Sequence, residues 1–244
     1  MDNGELIMMK ISAAAILSSH SIQHVRLDNH QRVFVVGDLD GNHRKLQEAM
    51  SRVSFDSKAD KLICLGDIID RGDDSLKILE LMRELNALVV LGNHEHLMIE
   101  SILNNDATAK SLWIKNGGAW HSSVPDEQLT SHCQWLLNQP LSIMVEYQGM
   151  KIGLSHTLPI RWSWDNLPVD KSAVVTALLW DRELFTKQKC TENSGVDFSI
   201  HGHNSTQMPI WINNTFHIDT SYYGRPTMVE LQTIIEEFNM INLQ

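Results

Sequence analysis

Two carboxylates, Asp38 and Asp40, stand two positions apart in Gly37-Asp38-Leu39-Asp40-Gly41, directly after the apolar run Val33-Phe34-Val35-Val36. The arrangement recurs. Gly66-Asp67-Ile68-Ile69-Asp70-Arg71-Gly72 follows Lys61–Leu65, and Gly92-Asn93-His94-Glu95 follows Ala87–Leu91. In the second half, Ser155-His156 and His201-Gly202-His203 each end another apolar run. A carboxylate left half-buried at a strand end is costly unless it is paired, protonated or bound to a metal. Asp, Asn and neutral His gathered in one crevice form a ligand set for hard-to-borderline divalent ions such as Mn²⁺, Fe²⁺ or Zn²⁺. A single Gly-Asp is commonly only a turn, and a single His at a strand end is commonly only a satisfied polar residue. Five such loops in order, each at a strand terminus, ask for a common purpose.

The elements that would position these loops follow from patterning. Val33–Val36 reads as a buried strand, with a helix expected over His43–Val53 from the spacing of Leu46 and Met50. Lys61–Leu65 and Ala87–Leu91 read as further strands. Asp73–Leu85 and Glu95–Leu103 read as helices, the first with Asp73, Asp74 and Ser75 at its amino end. This order predicts right-handed βαβ units and a parallel sheet, whose ligand site lies beyond the carboxyl ends of the strands. A Trp-rich polar stretch from about residue 104 to 140, containing Trp113, Trp120 and Trp135, reads as a small helical cap. Strands are then expected at Ser142–Tyr147, Lys151–Ser155, Asp197–Ile200, Ile210–Ile212, Phe216–Ile218 and Thr227–Leu231, a pattern that suggests an antiparallel second half.

The chain of 244 residues reads as one domain over 1–244, with residues 1–30 as a lead-in. Ile11–Leu17 is too short for a membrane span and follows Asp2 and Glu5, so it reads as an amphipathic lead-in helix rather than a cleaved signal. A formal net charge of −10 argues against a nucleic-acid partner but not against a small-anion site, because a metal inverts the local field. Cys64, Cys133 and Cys190 are odd in number and scattered, so no disulfide framework is expected and the cytoplasm is the simplest compartment. No membrane partner is expected, and no segment marks an oligomer interface.

Gly37-Asp38-x-Asp40-Gly41, Gly66-Asp67-x-x-Asp70-Arg71-Gly72 and Gly92-Asn93-His94-Glu95 together resemble the signatures of the phosphoprotein phosphatase family of binuclear metallophosphoesterases. The likeness extends through Ser155-His156, Trp180-Asp181-Arg182, His201-Gly202-His203 and Ile218-Asp219-Thr220, and is strongest toward small bacterial and phage serine/threonine phosphatases. The resemblance implies a four-layer α-β-β-α sandwich with mixed sheets, and two divalent metal ions. Mn²⁺ is the first expectation, with Fe²⁺, Zn²⁺ or Mg²⁺ as alternatives. It implies that Asp38 binds the first metal, that Asp67 bridges both, and that Asn93, His156 and His203 complete the second, with His203 preferred to His201 because the family ligand follows the glycine. It further implies that His94, oriented by Asp70, is the general acid to the leaving alkoxide, and that Arg71 and Arg182 hold phosphate oxygens. Two metals about 3.5–4 Å apart activate a bridging water and neutralise phosphate, a positioned His donates the proton, and the guanidinium fork matches phosphate. The implied partner is a phosphorylated protein or a small phosphoester.

The chain departs from that pattern twice: Asp40 stands where the family has His, and Leu91 where it has Arg. Asp40 can still ligate a hard cation, but one added negative charge and one lost positive charge both weaken transition-state stabilisation. Reduced activity is therefore expected. Three other readings compete. Asp38-Leu39-Asp40-Gly41 also resembles the first motif of haloacid-dehalogenase phosphotransferases, which would leave Asp67, Asp70, Asn93 and His94 without roles. A dinucleoside polyphosphate hydrolase is the nearest rival within the metallophosphoesterases. A weakly active module that binds phosphorylated partners is the rival outside enzymes. A cysteine phosphatase built on His132-Cys133 fails, because position 139 is Gln and the intervening stretch lacks glycine.

Overall fold

The computed structural model describes residues 22–72 and 74–243, so the lead-in helix expected over Ile11–Leu17, and Asp73, lie outside the described residues. The architecture is α/β, built on two mixed sheets. The smaller sheet contains β2 (Val33–Val36), β3 (Lys61–Cys64), β4 (Leu88–Val89) and β12 (Met228–Glu230), in the order β12-β2-β3-β4. Strands β2, β3 and β4 are parallel, with Val36 opposite Cys64 and Cys64 opposite Val89. The larger sheet contains β1 (Ile22–Arg26), β5 (Ser142–Tyr147), β6 (Met150–Ser155), β9 (Phe198–His201), β10 (Ile210–Ile212) and β11 (Thr215–His217), in the order β1-β5-β6-β9-β11-β10. A short pair, β7 (Arg161–Ser163) and β8 (Glu192–Ser194), stands apart.

Strand pleating explains the layers. Alternate residues of a strand point to opposite faces, so Val33 and Val35 join Ile63, Leu65, Ile143, Val145, Ile152, Leu154, Phe198 and Ile200 in a core between the sheets. Phe34, Val36, Leu62 and Cys64 point the other way. There they meet α1 (His43–Arg52), α2 (Ser75–Glu84) and α3 (Asn93–Ile102) through Leu46, Ile78, Leu79, Met82 and Leu97. On the far side, Met144 packs with Trp162, Trp164 and α6 (Lys171–Leu179). After the short helix α7 (Glu183–Lys187), helix α8 (Leu231–Asn242) adds Leu231, Ile234 and Ile235 to the inter-sheet core. The expected α-β-β-α order of layers is what the chain adopts.

The expected division into a parallel and an antiparallel half needs correction. Strand β1, from the first half, pairs in parallel with β5, and β12, from the second half, runs antiparallel to β2. Within the larger sheet β6, β9 and β11 are mutually parallel. Strand β1 pairs with the edge of β5 and β12 with that of β2, satisfying backbone groups those strands would otherwise leave unpaired. The carboxyl ends of β2, β3 and β4 in one sheet and of β6, β9 and β11 in the other carry the polar loops.

Helix boundaries follow local chemistry. Asn42 and Asp74 cap α1 and α2 by accepting the N–H of Lys45 and Lys77. Residues 107–137 form α4 (Ala107–Lys115), a 3₁₀ turn over Gly118–Ser123 and α5 (Asp126–Leu137), so the Trp-rich stretch is helical as expected. Cys64, Cys133 and Cys190 are free and buried. Burial pushes the Cys133 thiol up to about 12, which removes it as a thiolate nucleophile. Among the described residues no helix is long and apolar enough to cross a membrane.

Two buried histidines give stability a defined pH dependence. Desolvation pulls His96 down to about 3 and His217 down to about 4. Between about pH 6.5 and pH 4 the unfolded chain takes up protons that the folded chain refuses. Stability is therefore full above about 6.5 and falls on acidification, by about 1.4 kcal/mol per pH unit for each histidine. Urea melts at pH 7, 6 and 5 measure this slope, and replacing His217 by Gln reduces it by about 1.4 kcal/mol per pH unit.

Candidate metal centre and phosphate site

The polar loops meet where the carboxyl edges of the two sheets approach each other. Backbone bonds lock them together. Leu39 and Asp40 both donate to the Asp67 carbonyl at 3.0 Å, Gly41 donates to Ile68, and Gly202 donates to the His156 carbonyl at 2.9 Å. Gly202 is required sterically, since a Cβ there would lie 2.2 Å from Asp38 Oδ1. Asp40, Asp67, Asp70, Arg71 and His203 all hold φ between 47° and 73°. Such left-handed conformations in non-glycine residues are costly and cluster at functional sites.

Four expected ligands converge. Asp67, His156 and His203 offer ligand atoms that all lie within 4.8 Å of one another. His156 Nε2 is 3.1 Å from Asn93 Oδ1, 3.4 Å from Asp67 Oδ1 and 2.9 Å from His203 Nδ1. His156 Nδ1 lies 2.7 Å from the Leu65 carbonyl and donates to it, which turns Nε2 toward Asp67 and Asn93. His203 Nε2 is buried without a hydrogen-bond partner among the described residues. These are the features of a divalent-metal site. Asp38 lies beside this group, its Oδ1 accepting the His203 backbone N–H at 2.9 Å. Burial, with Asp219, Asp67 and Asp40 close by, raises the Asp38 carboxyl well above the usual range. That crowding of anions is relieved by a cation.

His94 sits beside this group, its N–H donating to Asp67 Oδ1 at 3.0 Å and its Nε2 3.8 Å from Asp67 Oδ2. Its Nδ1 is 2.6 Å from Asp70 Oδ2. Burial opposes its charge, but Asp67 and Asp70 outweigh burial and raise it. Arg71 Nη2 lies 2.6 Å from His94 Nε2, and Arg71 Nη1 donates to Asp40 Oδ1 at 2.5 Å. Arg182 comes from the turn after α6 and donates to Asn204 Oδ1 at 3.2 Å.

The residues that depart from the family pattern have distinct environments. Asp40, expected as a ligand, has both oxygens engaged by side chains outside the ligand set: Oδ1 by Arg71 and Oδ2 by Ser221. Leu91 is fully buried in the apolar core, with its N–H bonded to the Pro140 carbonyl. Its place is part of the packing rather than a vacated phosphate subsite. His201 faces away from the cluster, held by the Ser199 and Ser155 hydroxyls.

Sequence reasoning left Glu95 and Asp219 without roles. Glu95 is completely buried and accepts the N–H groups of Asp67 (2.8 Å), Ile68 (3.0 Å), Ile69 (3.3 Å) and Gly92 (2.9 Å). Asp219 accepts from Ser205 and Ser221 beside Asp38. Glu three residues after the Gly92 N-cap is a half capping box, a signal present in Gly92-Asn93-His94-Glu95.

The model of the calcineurin-like phosphoesterase family matches residues 31–207. The chain belongs to the calcineurin-like metallophosphoesterases, and is a hydrolase of that class whose family implies divalent metal ions. It is 29% identical to serine/threonine-protein phosphatase 1 of Salmonella typhimurium over 86% of this chain and 96% of that protein. It is 46% identical to a symmetrical bis(5'-nucleosyl)-tetraphosphatase of Nitrosospira multiformis, but over only 28% of this chain and 26% of that one. Among solved structures, one provisionally assigned as a diadenosine tetraphosphatase superposes with a TM-score of 0.63 at 20% identity, over 87% of this chain and 94% of that one. That likeness bears on the fold.

Glu95 yields a test. In Glu95→Gln the amide NH₂ is forced against backbone N–H donors, leaving buried groups unsatisfied at about 1–3 kcal/mol. Urea melts in chelator will show a loss of about 3 kcal/mol for E95Q.

Proposed function

We propose that this chain hydrolyses phosphate monoesters, with phosphoserine and phosphothreonine side chains of proteins as the substrate class. The observation that carries the reading is the His94–Asp70 pair at 2.6 Å, set against Asp67 at the edge of the ligand cluster and flanked by Arg71 and Arg182. Near-complete coverage of a serine/threonine phosphatase supports the substrate class.

Asp38, Asp67, Asn93, His156 and His203 would hold two divalent ions, Mn²⁺ first among the candidates, with Asp40 a further ligand when released from Arg71. Bound ions of this kind supply Lewis acidity and a water of lowered pKa. The chain's own residues do the rest. Arg71 and Arg182 bind and orient the phosphoryl oxygens. Once Arg71 turns from His94 Nε2 to the phosphoryl oxygens, a protonated Nε2 donates to the leaving alkoxide, while Asp70 holds Nδ1 and fixes the ring. Burial of the pair excludes competing water from the transferred proton.

Asp40 bears on efficiency. Its carboxylate engages Arg71 as a phosphate oxygen would, so substrate must displace it. Asp40→His removes that competitor and one negative charge, and is expected to raise kcat/KM for p-nitrophenyl phosphate about tenfold, or about 1.4 kcal/mol. Unchanged kcat/KM would count against the assigned competition. Leu91→Arg is a poor companion, because it buries a cation in the apolar core.

A second reading, dinucleoside polyphosphate hydrolysis, is favoured by the 46% identity over the segment shared with the tetraphosphatase. One screen separates the readings. After chelation and addition of Mn²⁺, Fe²⁺, Zn²⁺ or Mg²⁺, turnover is measured with p-nitrophenyl phosphate, phosphoserine peptides and diadenosine tetraphosphate. Metal-dependent phosphate release from the peptides is expected. ADP release from the dinucleotide at a higher kcat/KM would transfer the assignment to that class, and peptide binding without turnover would mark a binding module.

A further inference from the structure

The Asp70 carboxylate has more partners than a histidine-orienting group needs. Besides His94 on Oδ2, it accepts Trp113 Nε1 at 3.0 Å on Oδ1 and 2.9 Å on Oδ2, and Trp120 Nε1 at 2.6 Å on Oδ1. Both indoles come from the helical stretch far along the chain, Trp113 from α4 and Trp120 from the 3₁₀ turn. Trp113 is completely buried, and the rings meet edge to face with centroids 5.9 Å apart.

The backbone is built to let them reach. Gly117, at φ 113°, lies against the Arg71 backbone, where a Cβ would come within 2.5 Å of the Arg71 nitrogen. Gly118 lies against the Trp113 indole at the same distance. The helical stretch therefore touches the Asp70-Arg71 turn through bare backbone and two indole N–H groups. An indole N–H donates and never accepts, so both rings need acceptors where the Asp70 oxygens stand. Trp113 bridges the two oxygens and Trp120 adds a second donor to Oδ1, which together fix the plane of the carboxylate and leave Oδ2 against His94.

We propose that Trp113 and Trp120 are positioning residues for the general acid: they hold the Asp70 carboxylate so that His94 presents Nε2 to the leaving oxygen. The helical stretch is thereby part of the acid's alignment and not only a cover. The inference rests on the reading of His94 as general acid given above.

Leaving groups of different basicity test both. Protonation matters for an alkoxide and little for p-nitrophenolate. In the full-length, Mn²⁺-loaded protein, Trp120→Phe keeps a ring and removes the N–H. It is expected to lower kcat about tenfold for a phosphoserine peptide and less than twofold for p-nitrophenyl phosphate, with KM for both within twofold. Trp113→Phe is expected to act in the same direction. A structural role alone would lower both substrates equally, and that outcome overturns the proposal. His94→Asn is the reference. If it shows a leaving-group-selective loss and both Trp variants do not, the positioning role fails while the general acid stands. If His94→Asn itself shows no selectivity, the general-acid reading fails and the positioning role with it. The indole N–H resonances give a readout without turnover: Asp70→Asn should shift the Trp120 N–H upfield and speed its exchange, and an unmoved resonance overturns the proposal.

Discussion

A single fully buried carboxylate holds the loop-bearing edge of the smaller sheet in shape. Glu95 accepts four backbone N–H groups, three from the loop after β3 and one from the N-cap of its own helix. Burying a charge is tolerable only when it is this fully bonded. Burial and the nearby Asp67 charge push the Glu95 carboxyl up to about 7, so its anionic form depends on those donors. The bonds also hold Asp67 at its left-handed φ of 47°, which turns its carboxylate toward His156. From that orientation the His94 N–H bond to Asp67, and hence the placement of the His94–Asp70 pair, follows in turn.

Around this scaffold the electrostatics are unbalanced by design. Asp38, Asp67 and Asp219 are nearly inaccessible, and Asp40 is only partly exposed. Four carboxylates face two guanidiniums, and one of those, Arg71, is already engaged by Asp40. The remaining negative charge is what a divalent cation would balance, and the His203 nitrogen, unpartnered among the described residues, and the orientation of His156 Nε2 toward Asp67 point the same way. Asp40 thus acts on two things at once, the charge beside the ligand cluster and the freedom of Arg71.

The sequence made some of this legible and concealed the rest for physical reasons. Strands β2 and β3 and helices α1 and α2 announce themselves because burial of both sheet faces, and of one helix face, leaves runs and periods in the text. Strand β1 is hidden because Ile22-Gln23-His24-Val25-Arg26 is an edge strand, half exposed and polar. The swap of β1 and β12 between sheets is a long-range pairing, and nothing local in either segment encodes its partner. Site residues at strand ends were readable because each loop carries its own Gly, Asp or His signature. Asp219 and Glu95 were quoted within motifs yet stayed without roles, since their functions lie in bonds to backbone and hydroxyl groups that leave no spacing signal.

The two tryptophans mark the limit of that kind of reading. Trp113 and Trp120 look like packing residues in the sequence, and Trp113 does fill the core. Only their indole nitrogens, both on one carboxylate more than forty positions away, separate support of the His94–Asp70 pair from simple packing. A helical cover held by apolar contact alone could shift on the sheet at little cost, because dispersion is non-directional. Hydrogen bonds to a buried anion are directional and strong. Fastening the cover to Asp70 therefore converts a movable layer into a fixed wall of the site, so that the geometry of His94 is specified from both sides: by Glu95 through the backbone beneath it, and by the tryptophans through Asp70 above.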